Sequence, residues 1–246
     1  MAEVFAYDEG RVVKLDRPEW SGVSVFESEV LLRAAAAGLP VATSHGVVTI
    51  DGRCGVVLDR IEGSTLHQVL ALEAGEPEVL ARAEQFVHLQ QSINDAVIEG
   101  LPDLVTRLGQ ELEASALPAP LVSELVDMLH ELDDGRRGVC HFDFHPENVI
   151  VGPLGWIVID WVTAAGGPPT ADLARTLVLR GRSTAPPTYE FMQAVRRHAL
   201  KQRGVGEAAC DAWVRVVAGA RTAEGFDGEY AEWLSHVARG RLRLFV

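Results

Sequence analysis

Near the middle of the chain runs His141-Phe142-Asp143-Phe144-His145-Pro146-Glu147-Asn148, the densest cluster of polar and titratable side chains in the sequence. The residues immediately after it restrict the folds available. Asn148–Val151 and Trp156–Ile159 are short apolar runs separated by Gly152-Pro153-Leu154-Gly155, a pattern that predicts a β-hairpin. Asp160 closes the second run. Antiparallel pairing puts Asn148, at the start of the ribbon, and Asp160, at its finish, at the same end. Asp143 sits in the loop beside them. A carboxylate ending an apolar strand is costly to bury unless it meets a cation or hydrogen-bond donors. Hard oxygen ligands with few carboxylates suit Mg²⁺, with phosphate oxygens and water completing its octahedron.

The segments around this cluster fall into two kinds. Residues 3–7 and 11–15 read as strands joined by Asp8-Glu9-Gly10. Ser24 and Glu27 form an S-x-x-E capping-box pattern that opens a helix to about Ala37, ended by Gly38 and Pro40. Val47–Ile50 and Cys54–Leu58 predict a second hairpin around Asp51-Gly52. Residues 1–58 thus read β-β-α-β-β. After a short connection at 59–63, helical spacing takes over at 65–73, 77–93, 103–115 and 119–132, and again after the central hairpin at 170–181, 187–202, 207–221 and 227–239. The expected architecture is α+β and bilobal: a small N-terminal lobe (1–58), a connection (59–63) and a larger, mainly helical lobe (64–246).

Composition excludes several functions. A net charge of −13 argues against a broad nucleic-acid surface, and no stretch reaches the roughly 18 apolar residues of a membrane span. Cys54, Cys140 and Cys210 are scattered and form no CxxC pair. With no export signal visible at the N-terminus, they point to the cytoplasm. All but two of the 22 Lys and Arg residues are Arg; the exceptions are Lys14 and Lys201. Lys14 on a predicted strand is therefore a candidate for a role that asks for a compact ammonium. Cys140 and the isolated histidines read as packing or surface residues, and His141 and His145 as braces of their loop.

His141-x-Asp143-x-His145-Pro146-x-Asn148, then Ile159-Asp160-Trp161 and Asp172-Leu173-Ala174, resembles the aminoglycoside phosphotransferase and choline kinase branch of the protein-kinase-like fold. The resemblance implies an ATP-dependent (or GTP-dependent) phosphotransferase acting on the hydroxyl of a small molecule. It assigns Asp143 as the catalytic base, Asn148 and Asp160 as Mg²⁺ ligands, and Lys14 as the contact to the α- and β-phosphates. The partner of Lys14 should be a helical glutamate, Glu27 or alternatively Glu29. The backbone of Asp59, Arg60 and Ile61 would hold the adenine, and Asp172 would brace the catalytic loop. The acceptor site falls to 64–138 and the segments after 185. There Glu224, Asp227, Glu229 and Glu232 suit a cationic acceptor or form an ordinary solvated face, and Tyr230, Trp213 and Trp233 would stack on a ring or pack the helices.

The chain departs from this family in two ways. The strand and glycine-bearing loop that usually cover the phosphates are missing or reduced ahead of Lys14, and Phe142 and Phe144 stand where Gly and Leu are usual. The first departure motivates an alternative: a catalytically weak nucleotide- or metabolite-binding protein of the same fold. Neither reading specifies an oligomeric state.

Overall fold

The computed structural model describes residues 2–72 and 75–246. The N-terminal hairpin forms as its turn residues dictate: β1 (Ala2–Ala6) and β2 (Arg11–Asp16) pair antiparallel, with Val4 opposite Lys14. Helix α1 (Val23–Ala36) comes next, then β3 (Ser44–Ile50) and β4 (Arg53–Asp59), joined by the Asp51-Gly52 turn. The strands make one sheet in the order β1-β2-β4-β3. Val13, Leu15 and Val57 form a small apolar cluster on it, backed by Val48 and Ile50.

From residue 64 onward helices dominate. A two-residue strand, β5 (Ser64–Thr65), leads into α2 (Leu66–Leu72), α3 (Glu76–Asp95), α4 (Leu104–Ala114) and α5 (Ala119–Leu132). The helix expected at 65–73 forms over Leu66–Leu72; position 73 lies outside the described residues. Strand β6 (Gly138–Cys140) precedes the polar cluster, whose last three residues make a 3-10 turn. The predicted hairpin is β7 (Val149–Gly152) and β8 (Gly155–Val158), in the register Val149–Val158, and β5 pairs with β7. A short strand, β9 (Ala165–Gly167), pairs with β6. It carries no β-branched or aromatic residue, so local sequence did not signal it. Helices α6 (Pro169–Arg180), α7 (Pro186–Arg203), α8 (Glu207–Arg221) and α9 (Gly228–Ala238) complete the chain.

The main core joins the two parts. Val30, Leu31 and Ala34 of α1 lie in the same buried cluster as Phe86, Leu108, Phe144, Trp161 and Leu177. The segment after α1 also docks on the hairpin, where the Val158 amide donates to the Pro40 carbonyl at 2.8 Å. Gly63 lets the chain pass close to β7: at φ +145° it sits where an added Cβ would lie 2.4 Å from the Val151 carbonyl oxygen.

The capping box predicted for α1 does not form. Gly22 occupies the N-cap position, and no side chain of the helix itself caps it. Asp16, at the end of β2, does so from outside: its carboxylate accepts from the amides of Gly22 (2.8 Å) and Ser24 (3.1 Å) and from the Ser24 hydroxyl (2.6 Å). Glu27 is drawn instead to Lys14, because a buried ammonium is a stronger partner for a carboxylate than a helix-end amide. Asp16→Ala is expected to lower stability by about 1–2 kcal/mol, the range for losing an N-cap, read as a shift in the urea midpoint.

Candidate active site

Lys14 lies at the centre of an ion cluster assembled from three distant parts of the chain. Its Nζ sits 2.9 Å from Oε1 and 2.8 Å from Oε2 of Glu27, and 2.8 Å from Oδ1 of Asp160. Glu27 is 1% exposed, and its Oε1 also accepts from the Trp161 amide at 3.2 Å. Burial disfavours the ammonium, but the two carboxylates outweigh it and hold the pKa of Lys14 above the usual lysine value. Glu29, the alternative partner, is exposed and faces Arg33 at 3.4 Å.

The catalytic-loop cluster is held from behind by groups far away in sequence. Phe142 takes a left-handed conformation, φ +60°, and its amide donates to Oδ1 of buried Asp172 at 2.7 Å. Oδ2 of Asp172 accepts from Gln90 and Asn94, each at 3.0 Å. A left-handed residue bearing a side chain is strained. Here the Phe142 ring is buried, with the guanidinium of Arg107 4.6 Å and that of Arg175 5.2 Å from its centroid. Neither arginine was foreseen, since each reaches the ring from a separate helix.

His141 is fully buried and links the loop to the end of the hairpin. Nδ1 accepts from the Asp143 amide (3.2 Å), and Nε2 lies 3.1 Å from the Ile159 carbonyl, to which its proton is directed. Burial lowers its pKa, keeping the ring neutral in this bracing role. Asp160 comes next at φ +65°, so the chain turns sharply where its carboxylate meets Lys14. Cys140 is buried against the Gly138 and Pro168 carbonyls, and burial pushes its thiol well above the usual value, in keeping with a packing role.

Asp143 and Asn148 meet directly. The Asn148 amide nitrogen donates to both the backbone carbonyl and Oδ2 of Asp143, each at 2.9 Å. His145 stands on the other side, with Nε2 3.6 Å from Asp143 Oδ2 and Nδ1 2.7 Å from Glu147 Oε2. Burial would raise the pKa of Asp143, but His145 outweighs it and brings the carboxyl down to about 2. Burial opposes the charge on His145, and the two carboxylates lift it to about 9. Burial likewise opposes the charge on Glu147, which His145 and Arg180 bring to about 2.

One cavity adjoins these groups and a second lies at the connection 59–62 and the β7–β8 turn. One, about 410 Å³, is lined by Lys14, Asp160, Val4, Trp20, Val162 and Thr163 among others. The other, about 440 Å³, is lined by Asp59, Arg60, Ile61, Val41 and Ile157 among others. Within 59–61, the Arg60 amide already donates to the Gly10 carbonyl (2.9 Å) and the Asp59 amide to that of Thr43 (3.1 Å). A base bound there would meet the other backbone groups of the segment.

The acidic residues near the C-terminus largely face basic groups of their own fold. Glu224 takes Arg175 (2.7 Å) and Arg221 (3.1 Å), Glu229 lies 3.4 Å from Arg182, and Glu232 lies 3.5 Å from His236. Trp213 is buried, and Tyr230 stacks on Trp233 with centroids 5.7 Å apart.

The model of the phosphotransferase enzyme family, APH, matches residues 3–245. The chain belongs to that family. No curated protein matches it in sequence. Among solved structures it is similar to an aminoglycoside phosphotransferase APH(4)-Ia variant in ternary complex with ADP and hygromycin B (TM-score 0.69, 16% identity, 98% of this chain and 92% of that one). It is also similar to an aminoglycoside-3′-phosphotransferase of type VIII (TM-score 0.64, 18% identity, 89% and 93%). A streptomycin–ATP–APH(2″)-IIa ternary complex matches as well (TM-score 0.61, 18% identity, 97% and 91%). The fold is thus that of the aminoglycoside phosphotransferases, α+β with a small antiparallel sheet and a larger helical part. The family match makes the protein a phosphotransferase.

The charges around Asp143 make stability depend on pH. Asp143 and Glu147 lie below their ordinary values of 3.8 and 4.5, so their contribution is present above that range and is lost as pH falls toward about 2. His145 lies above its ordinary 6.5, so its contribution is complete below that value and disappears as pH rises through about 9. The stability difference between wild type and His145→Gln is expected to be largest from about pH 4.5 to 6.5 and to shrink above about 9. Urea midpoints of both proteins across this range provide the check; a constant difference contradicts the assignment.

Proposed function

We propose that Asp143, Asn148, Asp160, Lys14 and Glu27 form the transfer site, with the nucleotide in the two cavities. The observation that carries this reading is the meeting of a largely buried ammonium with Glu27 and Asp160, together with an Asp143 whose Oδ2 is tied to Asn148, whose backbone carbonyl accepts at 3.0 Å from the amide of Ile159 next to Asp160. Phosphoryl transfer asks mainly for positioning and for positive charge around the phosphate oxygens. Lys14 supplies fixed charge to the α- and β-phosphates. Glu27 holds the ammonium in place. Residues 59–63 join the nucleotide-binding part, 1–58, to the acceptor-binding part, 64–246, and the backbone of 59–61 receives the base of ATP or GTP.

Asn148 and Asp160 fit Mg²⁺. The Asn148 nitrogen is taken by Asp143 and Asp160 Oδ1 by Lys14. The Asn148 oxygen and the second Asp160 oxygen remain as hard donors of the kind this ion selects. When bound, it supplies further positive charge to the phosphates. Asp143 orients the acceptor hydroxyl and receives its proton; at a pKa of about 2 it is a weak base, so alignment is the larger part of its role.

A cationic acceptor belongs to this proposal. The net charge of −13 supports it, whereas the paired Glu224, Glu229 and Glu232 lend little. The scattered free cysteines support a cytoplasmic enzyme. No helix among the described residues is long and apolar enough to cross a membrane.

A panel of hygromycin B, streptomycin, choline-like amines, macrolides and neutral sugars, read by nucleoside diphosphate release, tests the acceptor. Turnover confined to neutral or anionic compounds removes the cationic element. Asp143→Asn is expected to keep nucleotide affinity and lose roughly 10²–10⁴-fold in turnover, the range for a general acid–base group. Asp160→Ala is expected to abolish Mg²⁺-dependent nucleotide binding, measured by calorimetry. Wild-type protein that binds no Mg²⁺-ATP at millimolar concentration would return the balance to the weak-binder alternative.

A further inference from the structure

Helix α6 grips the catalytic loop at three successive points. Asp172, Thr176 and Arg180 are spaced four residues apart and so lie along one face of the helix. Asp172 accepts from the Phe142 amide (2.7 Å), and the Thr176 hydroxyl donates to the Phe144 carbonyl (2.7 Å). Arg180 places Nη1 2.5 Å from Glu147 Oε1. The first two contacts hold backbone. The third continues through side chains: Glu147 Oε2 meets His145 Nδ1 at 2.7 Å, and His145 Nε2 lies 3.6 Å from Asp143 Oδ2.

This chain of contacts ends on one particular oxygen. Oδ2 of Asp143 already receives the Asn148 amide at 2.9 Å and faces His145, leaving Oδ1 for a ligand. A carboxylate held by one donor can still swing about χ2; a charged imidazole 3.6 Å from the bonded oxygen opposes that swing electrostatically. His145 is itself free to turn unless Nδ1 is held, and Glu147, about one-third exposed, is held by Arg180 at 2.5 Å, with His67 Nδ1 at 3.8 Å from the same oxygen.

We propose that Arg180 and Glu147 are positioning residues for phosphoryl transfer, acting through His145 to fix Asp143 with Oδ1 toward the acceptor hydroxyl. The inference rests on the role given to Asp143 above. Arg180 and Glu147 line neither of the two cavities assigned to the nucleotide. Their loss therefore acts on the transfer step and leaves nucleotide affinity intact.

The experiment uses Mg²⁺-ATP and the panel compound that the wild type phosphorylates fastest. Glu147→Ala is expected to lower kcat by roughly 10–100-fold, the scale for slight misplacement of a reacting group, with the nucleotide KM within about twofold of wild type. Arg180→Met is expected to give a smaller loss of the same kind, and Arg180→Lys to recover most of it. The double variant Glu147→Ala/Arg180→Met should be no slower than Glu147→Ala alone, because both changes cut one line of contacts. Glu147→Ala should likewise add nothing on an Asp143→Asn background. A kcat loss that merely tracks the folded fraction, or that is additive in these pairs, assigns the residues to stability and overturns the proposal. So does wild-type turnover in Glu147→Ala. A wild-type protein that phosphorylates no compound of the panel instead overturns the role of Asp143, and this inference with it.

Discussion

The ammonium of Lys14 ties together parts of the chain that are otherwise far apart. It comes from β2, meets Glu27 of α1, and reaches Asp160 beyond the hairpin. A glutamate only 1% exposed is tolerated because its charge is paired and its Oε1 also accepts the Trp161 amide. The cluster, together with the Val158–Pro40 backbone bond, sets how α1 and the sheet sit against the hairpin that carries Asp160. Apolar packing alone would leave that relation loose, since the core shared by α1 and the later helices has no directional bonds.

The loop beside this cluster is held against its own backbone preferences. Phe142 and Asp160 both take left-handed conformations without being glycine, and such residues persist only where their surroundings over-determine them. The surroundings are identifiable. Asp172 takes the Phe142 amide, two guanidinium groups flank its ring, and His141 bridges the loop to the Ile159 carbonyl. Binding of phosphates and an acceptor then meets groups already oriented, which is what phosphoryl transfer requires of a protein.

Much of the fold was legible in the sequence. The hairpins formed around Asp8-Glu9-Gly10, Asp51-Gly52 and Gly152–Gly155, because turn chemistry is local. The long helices formed where apolar spacing placed them. The capping box failed because local pattern cannot know that Glu27 has a buried cation to meet, nor that Asp16 stands ready to cap the helix from a strand. Strand β9 was invisible because its three small residues pair only where β6 is brought alongside.

For the candidate site, sequence alone determined the chemical inventory: a carboxylate, an amide and a second carboxylate spaced around a hairpin, and one of only two lysines in an arginine-rich chain. These come from composition, spacing and the two-residue period of strands, which act over a few residues. Tertiary structure decided the partners. It selected Glu27 over Glu29 for Lys14, paired the C-terminal glutamates with arginines and a histidine, and ran Arg180 through Glu147 to His145. Those choices depend on which side chains are carried to the same place by packing of distant helices. An ion pair or hydrogen bond between residues far apart in sequence leaves no periodicity in the chain from which it could be read.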